Sequence, residues 1–300
     1  MSNHTRGVLL GLLASACWGT TFVAARYVTY VRDIDPIYTA ALRFGIGALV
    51  ACAYLAATGR LRGLMKAASD LGGMAMLGAI GIFGMGVLVF VSARYTTSIN
   101  SSLIMNSNAI FIAVLALMAG ERVPAVRFVG LVLGLAGCAA IVMGEAPPQP
   151  LPAPNNVLGC LAAVGGAACW AAYTVLGKPY VRRHGGLVVA TGALIFGALM
   201  LTVLAVARQP LPSLEWPEAA AAAFMGIVPT ALAMLVWYRA LELVDASVLG
   251  PTQYLAPVGS SMLGWWLLGE SIGWSFLGGA VGVLIGVYLA TKPVADEAQG

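Results

Sequence analysis

Residues equipped for bond-making chemistry are few and scattered along this chain. The two histidines, His4 and His184, are far apart, and the five cysteines (Cys17, Cys52, Cys138, Cys160, Cys169) sit singly inside apolar runs. A metal site needs ligands at defined spacings; none occur, so no metal and no cofactor is expected, and the cysteines read as small apolar residues. The twelve acidic residues fall in loops, tails or at the margins of apolar runs. What remains is uncharged. Thr97, Asn100, Ser101, Ser107 and Asn108 share an arc of about 120° on one helical run, and Ser247, Gly250, Tyr254, Ser261 and Trp265 share about 60° on another. Gly11, Ser15, Trp18 and Phe22 form a face that Ala163, Ala167, Trp170 and Thr174 repeat. Such residues bind rather than cleave: amides and hydroxyls meet the polar ends of a ligand, and ring faces accept its apolar part. Small and hydroxyl residues also let apolar helices pack closely, and for Trp18 and Trp170 a wedge between helices and a cavity lining are both open readings.

The elements that must hold these residues follow from composition. The chain has 300 residues, 60% of them hydrophobic and 9% charged, with mean hydropathy +0.90. An ordinary soluble domain carries about 25% charged residues, so this surface faces lipid. The net charge of +4 is small and dispersed, which gives no basis for a nucleic-acid partner. A spanning helix needs about 20 apolar residues. Suitable runs cover 7–25, 36–59, 71–93, 95–120, 128–144 (extended back to Pro124), 157–177, 185–207, 219–238, 246–269 and 271–291. The runs are continuous rather than alternating, which excludes a β-barrel, and the bilayer offers backbone groups no partner, which leaves helices. The expectation is an all-α integral membrane protein with ten transmembrane helices.

Ala16-Cys17-Trp18 recurs as Ala168-Cys169-Trp170, Phe90 and Ala93 as Trp237 and Ala240, and Gly120-Glu121 as Gly269-Glu270. The echo at Trp170 argues against a cleaved leader at Cys17, because a leader has no reason to be half of a repeat. The reading is a first five-helix repeat over 1–144, a connector over 145–156, and a second repeat with a short tail over 157–300. The connector holds five prolines in twelve residues and reads as extended and semi-rigid. Since five is odd, the second repeat is inverted. With the N-terminus inside, eleven Lys and Arg (Arg6, Arg60, Arg62, Lys66, Arg122, Arg127, Lys178, Arg182, Arg183, Arg239, Lys292) face the cytoplasm and five (Arg26, Arg32, Arg43, Arg94, Arg208) face outward. The positive-inside bias therefore puts both termini in the cytoplasm. Arg43, two turns into its run, is expected to snorkel outward, with contact to a ligand carboxylate as the alternative. Glu121 and Glu270 are expected to hydrogen-bond their own short turns.

Three motifs of the first half, Ala16-Cys17-Trp18-Gly-Thr-Thr-Phe22, Pro36-Ile-Tyr-Thr-Ala-Ala-Leu-Arg43-Phe44 and Gly120-Glu121-Arg-Val-Pro124, and three of the second, Val228-Pro229-Thr230-Ala231, Ala256-Pro257-Val258 and Leu268-Gly269-Glu270-Ser271, follow one another in a telling order. Together they resemble the EamA-type repeat of the drug/metabolite transporter superfamily over essentially the whole chain. The resemblance implies a ten-helix exporter or exchanger of small metabolites in a bacterial inner membrane, most similar to aromatic amino-acid exporters. One departure stands out: Asn108 occupies the place of Pro257, so no kink is expected in the first repeat. The expected substrate is a neutral or zwitterionic amino acid, met by Asn100, Ser101 and Asn108 and by the rings of Trp18, Trp170 and Tyr254. Without an acid inside the spans, where proton and cation would compete, transport is expected to be facilitated and driven by the substrate gradient; a proton-coupled drug or metabolite exporter is the alternative. A membrane-embedded transferase would need a nucleophile, an acid pair or a metal-binding cluster, which the chain lacks. Oligomeric state is left open.

The orientation yields a direct test. Single cysteines placed at 146–154 in a cysteine-free background are expected to react with an impermeant maleimide added from the periplasm. Labelling there only from the cytoplasm overturns the topology.

Overall fold

The computed structural model describes residues 2–26, 28, 32, 34–95, 104–121, 123–144, 156–208, 214–259 and 274–292. All of the regular structure among them is helical: α1 (Asn3–Arg26), α2 (Pro36–Ala57), α3 (Leu61–Lys66), α4 (Leu71–Gly78), α5 (Met85–Tyr95), α6 (Asn108–Met118), α7 (Ala125–Gly144), α8 (Asn156–His184), α9 (Gly186–Arg208), α10 (Trp216–Gly226), α11 (Ala233–Leu241), α12 (Ala246–Leu249) and α13 (Trp274–Thr291). Among the described residues, six stretches are long and apolar enough to cross a membrane: Pro36–Ala57, Leu71–Val89, Val157–His184, Gly186–Arg208, Trp216–Leu241 and Trp274–Thr291; Ile104–Met118 and Ala125–Ile141 are shorter apolar helices.

Local chemistry sets the ends. Asp35 caps α2 by accepting the Tyr38 N–H, with Pro36 in the first turn, where its missing N–H costs nothing. Glu215 and Glu218 form a reciprocal capping box at the start of α10. Gly59, Gly120 and Gly185 take positive φ just beyond helix ends, a conformation open to glycine without strain.

Two helices carry a π-helical turn, Ala79–Gly84 between α4 and α5 and Ile227–Leu232 between α10 and α11. In the second, Pro229 has no N–H to offer the Met225 carbonyl, and the Thr230 hydroxyl fills that place with a 2.8 Å hydrogen bond. A polar group is thus satisfied within the helix where lipid could not satisfy it.

Glycines set the packing. A methyl at Gly137 would stand 2.6 Å from the Gly279 carbonyl oxygen, and one at Gly130 would stand 2.6 Å from that of Gly286, so α7 and α13 touch backbone to backbone. Elsewhere α2 lies along the α10–α11 stretch, with Gly47 against Thr230, and α9 lies along the α4–α5 stretch, with Gly197 against Ile82. Likewise α1 packs on α11 and α8 on α5. Every one of these contacts joins residues before the connector to residues after it. Apolar side chains such as Leu49, Val132, Leu199, Val203, Leu284 and Tyr288 point outward, as a lipid-facing surface requires. An open, wholly apolar groove of about 460 Å³, lined by Phe83, Leu199, Met200, Val203, Leu204 and Ala207, belongs to that surface.

Several expectations change. Described helix in the fourth run begins at 104 and is interrupted at Ser107, whose hydroxyl turns back to the Ile104 carbonyl; a break therefore occurs beside Asn108 without a proline. The ninth run is not one α-helix: α12 passes into a 3₁₀ turn over Gly250–Tyr254. At about 120° per residue this turn rotates Tyr254 away from the face that an α-helical count assigned it with Ser247. Helix α8 runs on to His184, so Lys178 lies inside a helix and is buried rather than in a loop, and Arg127 is buried at the start of α7.

The close approach of α7 and α13 gives a stability test. Gly137→Val should lower the thermal midpoint in detergent by the equivalent of about 1–3 kcal/mol of overpacking, because backbone cannot yield as a side chain can. The same change at Gly72, where nothing lies within 4 Å of an added Cβ, should leave the midpoint near that of the parent.

Candidate functional site

The tryptophans of α1 and α8 converge. Trp18 meets Trp170 edge-on with ring centroids 5.1 Å apart, and Trp237 of α11 completes the group at 5.1 Å from Trp18 and 6.2 Å from Trp170. Tyr173 extends it at 5.3 Å from Trp170, and Tyr238 lies 5.3 Å from Tyr173. Edge-to-face geometry sets the positive rim of one ring against the negative face of another. Glycine makes room for the group: Tyr173 covers Gly81 in the first π turn, where any side chain would collide with it. Trp170 Nε1, Trp237 Nε1 and Thr174 Oγ1 are buried with no hydrogen-bond partner among the described residues. Buried donors of this kind are costly unless something meets them, which marks the cluster as a place for a polar ligand group or water.

The other anticipated site residues divide. Asn108 is buried with Oδ1 lacking a partner among the described residues. Met105 touches Gly166, and Glu121 meets Lys178, so α6 and α8 run in the same direction and Asn108 lies near the level of Trp170. Tyr254 is fully buried elsewhere, over Gly134 in the core shared by α7 and α13 with Leu131, Cys138 and Val283. Asn100 and Ser101 lie outside the described residues, as does Glu270. Trp237, Tyr173 and Tyr238 are legible in the sequence only as aromatic residues in apolar runs; Trp237 echoes Phe90, but nothing in that echo makes it a neighbour of Trp18.

A second constellation closes one end. Lys178 Nζ is 3.2 Å from Glu121 Oε1, also pairs with Asp245, and donates to the Val244 carbonyl at 3.2 Å. The Glu121 carboxylate accepts the backbone N–H groups of Ala246 and Ser247 at 3.2 and 3.1 Å, and Arg127 Nη1 donates to Ser247 Oγ at 2.8 Å. Glu121 therefore serves the beginning of α12, not its own turn, because the Ala246 and Ser247 N–H groups have no acceptor within their own helix, whereas those of Val248 and Leu249 reach the Asp245 carbonyl. Nearby, His184 and Arg183 pair with Asp70. Its hydrogen bond to His184 holds the Asp70 carboxyl below its ordinary range, so the carboxylate keeps its charge at neutral pH and loses it only as acidification passes through that lowered value. Arg32 pairs with Glu215 and Glu218.

Arg43 does not snorkel. Its Nε donates to Thr230 Oγ1 at 2.8 Å, and Nη2 lies 3.5 Å from the Pro229 carbonyl, which turns the guanidinium inward against the second π turn. The Thr230 hydroxyl and the Pro229 carbonyl are the acceptors that hold it there.

This geometry can be set beside known proteins. The EamA-like transporter family matches twice in succession, over residues 5–143 and 157–292. The chain is a member of that family. It is 29% identical over 293 residues to the uncharacterised transporter YyaM of Bacillus subtilis (strain 168), covering 95% of this chain and 92% of the relative. It is 27% identical over 267 residues to the aromatic amino acid exporter YddG of Ancylobacter novellus, covering 87% and 88%. A crystal structure at 24% identity superposes with a TM-score of 0.83 over 96% of each chain, which shows a shared fold. Membership makes this a membrane transporter with a small-molecule substrate rather than an enzyme family, in keeping with its several apolar helices.

The closing ion cluster predicts non-additivity. Lys178→Met strands the Glu121 carboxylate; removing one partner costs about 3–5 kcal/mol in a fully buried pair and less where Asp245 is part-exposed. The thermal midpoint should fall clearly for Lys178→Met and recover by at least half in Lys178→Met/Glu121→Gln.

Proposed function

We propose that the protein exports aromatic and other large neutral amino acids across the bacterial inner membrane, as a facilitator working by alternating access. The observation that carries this reading is the Trp18–Trp170–Trp237 cluster. It draws rings from α1, α8 and α11 and contains buried indole N–H groups without partners among the described residues. Ring faces suit an apolar side chain, and N–H and amide groups suit the ends of a zwitterion. The similarity to an aromatic amino acid exporter points the same way. We assign Trp18, Trp170 and Asn108 to the binding region, with Asn100 and Ser101 lining the path toward it; Tyr254, buried between α7 and α13, is left to packing.

The reading includes ten helices in two inverted halves, 1–144 and 157–300, joined by the 145–156 connector, with both termini cytoplasmic. Paired spacings support the inversion. The π turns begin at 79 and 227, 148 apart. The Gly130–Gly286 and Gly279–Gly137 contacts exchange under a single offset of 149. An exchange of partners under one shift is what a two-fold axis between halves produces. The family's double match supports it too.

The test is efflux from proteoliposomes loaded with labelled phenylalanine or threonine. Export down the substrate gradient without an imposed pH gradient is expected, as is a marked loss in Trp18→Ala and Trp170→Ala with insertion intact. If both variants insert and move both amino acids at the parent rate, the assignment of the tryptophans fails; if a pH gradient alone drives uphill movement, the facilitator mode fails.

A further inference from the structure

The two places where an α2-type helix crosses a π turn are near-copies of each other. Gly226 abuts Ile46 and the Arg43 carbonyl, and Gly78 abuts Phe196 and the Ala193 carbonyl; Gly47 meets Thr230, and Gly197 meets Ile82. Position by position, Arg43 and Thr230 therefore correspond to Ala193 and Ile82. The fold builds the same crossing, with the same π turn, from two apolar residues at one place and from a cation and a hydroxyl at the other. Neither the crossing nor the turn needs the charge. Arg43 also has no carboxylate within ion-pair distance among the described residues, although charge inside a bilayer normally persists only where it is paired or functional. Its bonds to Thr230 and Pro229 occupy Nε and one Nη2 hydrogen, leaving the Nη1 edge without a protein acceptor among the described residues. Thr230 lies seven residues, about 10 Å along the helix axis, before Trp237 in the same continuous stretch, so an anionic group at Arg43 would leave a ring within reach of the tryptophans.

We propose that Arg43, seated on Thr230, is the recognition point for the substrate carboxylate. This rests on the amino-acid export reading above and supplies the counter-charge that the aromatic cluster lacks. A guanidinium fork matches a carboxylate in shape as well as sign, and Thr230 fixes the fork by holding Nε.

The experiment measures labelled phenylalanine efflux and its competition by unlabelled phenylalanine, or by phenylalaninamide, which keeps the ring and ammonium but has no carboxylate. The parent should prefer phenylalanine over the amide by about tenfold or more, as a charge-assisted hydrogen bond implies. Arg43→Gln should lose most of the phenylalanine rate and bring the preference to about one, while Arg43→Lys retains part of both. The double variant Arg43→Ala/Thr230→Ile installs the apolar pair the fold already accommodates at Ala193 and Ile82; it should insert and fold, with a thermal midpoint lowered by no more than loss of the Thr230–Met225 hydrogen bond requires, and lose the preference. A parent-like preference in a folded Arg43→Gln or double variant overturns the assignment and leaves the export reading standing. A parent that moves neither phenylalanine nor threonine overturns the export reading itself, and this assignment with it.

Discussion

Hydrocarbon offers no hydrogen bonds, and that one deficiency organises the molecule. Every backbone group must be satisfied inside its own helix or by another part of the protein. Departures from α geometry therefore occur where a local group repairs them, as the Thr230 hydroxyl does for the Met225 carbonyl. Apolar attraction between helices is also weak in lipid, so close contact has to come from shape. Glycine provides it along α7 and α13, where backbone meets backbone at Gly130, Gly137, Gly279 and Gly286. The same residue opens the space in which Tyr173 covers Gly81 and the aromatic group assembles.

Polar chemistry is then confined to a few places, each with a reason. At one end, Glu121, Lys178, Asp245 and Ser247 draw together segments more than a hundred residues apart. In the interior, the tryptophans present N–H groups to a region otherwise formed by rings and small residues. On the far side of the tryptophans from that end, Arg43 brings the only guanidinium that the described spans hold against a π turn.

The apolar runs made the helices legible because a bilayer demands length and composition more than detail. The recurrence of Ala-Cys-Trp foretold that Trp18 and Trp170 belong to related elements, and they do meet. What was not legible depended on departures from regular geometry. A count at a fixed angle per residue placed Tyr254 beside Ser247, and the 3₁₀ turn over Gly250–Tyr254 undid it. The break at Ser107 had no proline to announce it. Snorkelling was the natural reading of Arg43 from its position alone; the acceptor that turned it inward lies on another helix, almost two hundred residues later. Lys178 and Glu121 were each visible, but a pairing across the connector leaves no local periodicity to read.

The cross-connector packing also has a consequence in time. Residues before 145 reach the membrane first, yet α2 completes its contacts against α9 and the α10–α11 stretch, and the α4–α5 stretch against α8 and α9. The freshly inserted first portion must therefore wait in the bilayer with Gly47 and Gly78 uncovered, open to lipid or to a neighbouring chain. Helix α12 waits in the opposite sense, because the carboxylate that caps it, Glu121, was synthesised long before. Assembly is thus a meeting of unfinished partners, and the time taken to synthesise and insert the helices after the connector sets how soon that meeting takes place.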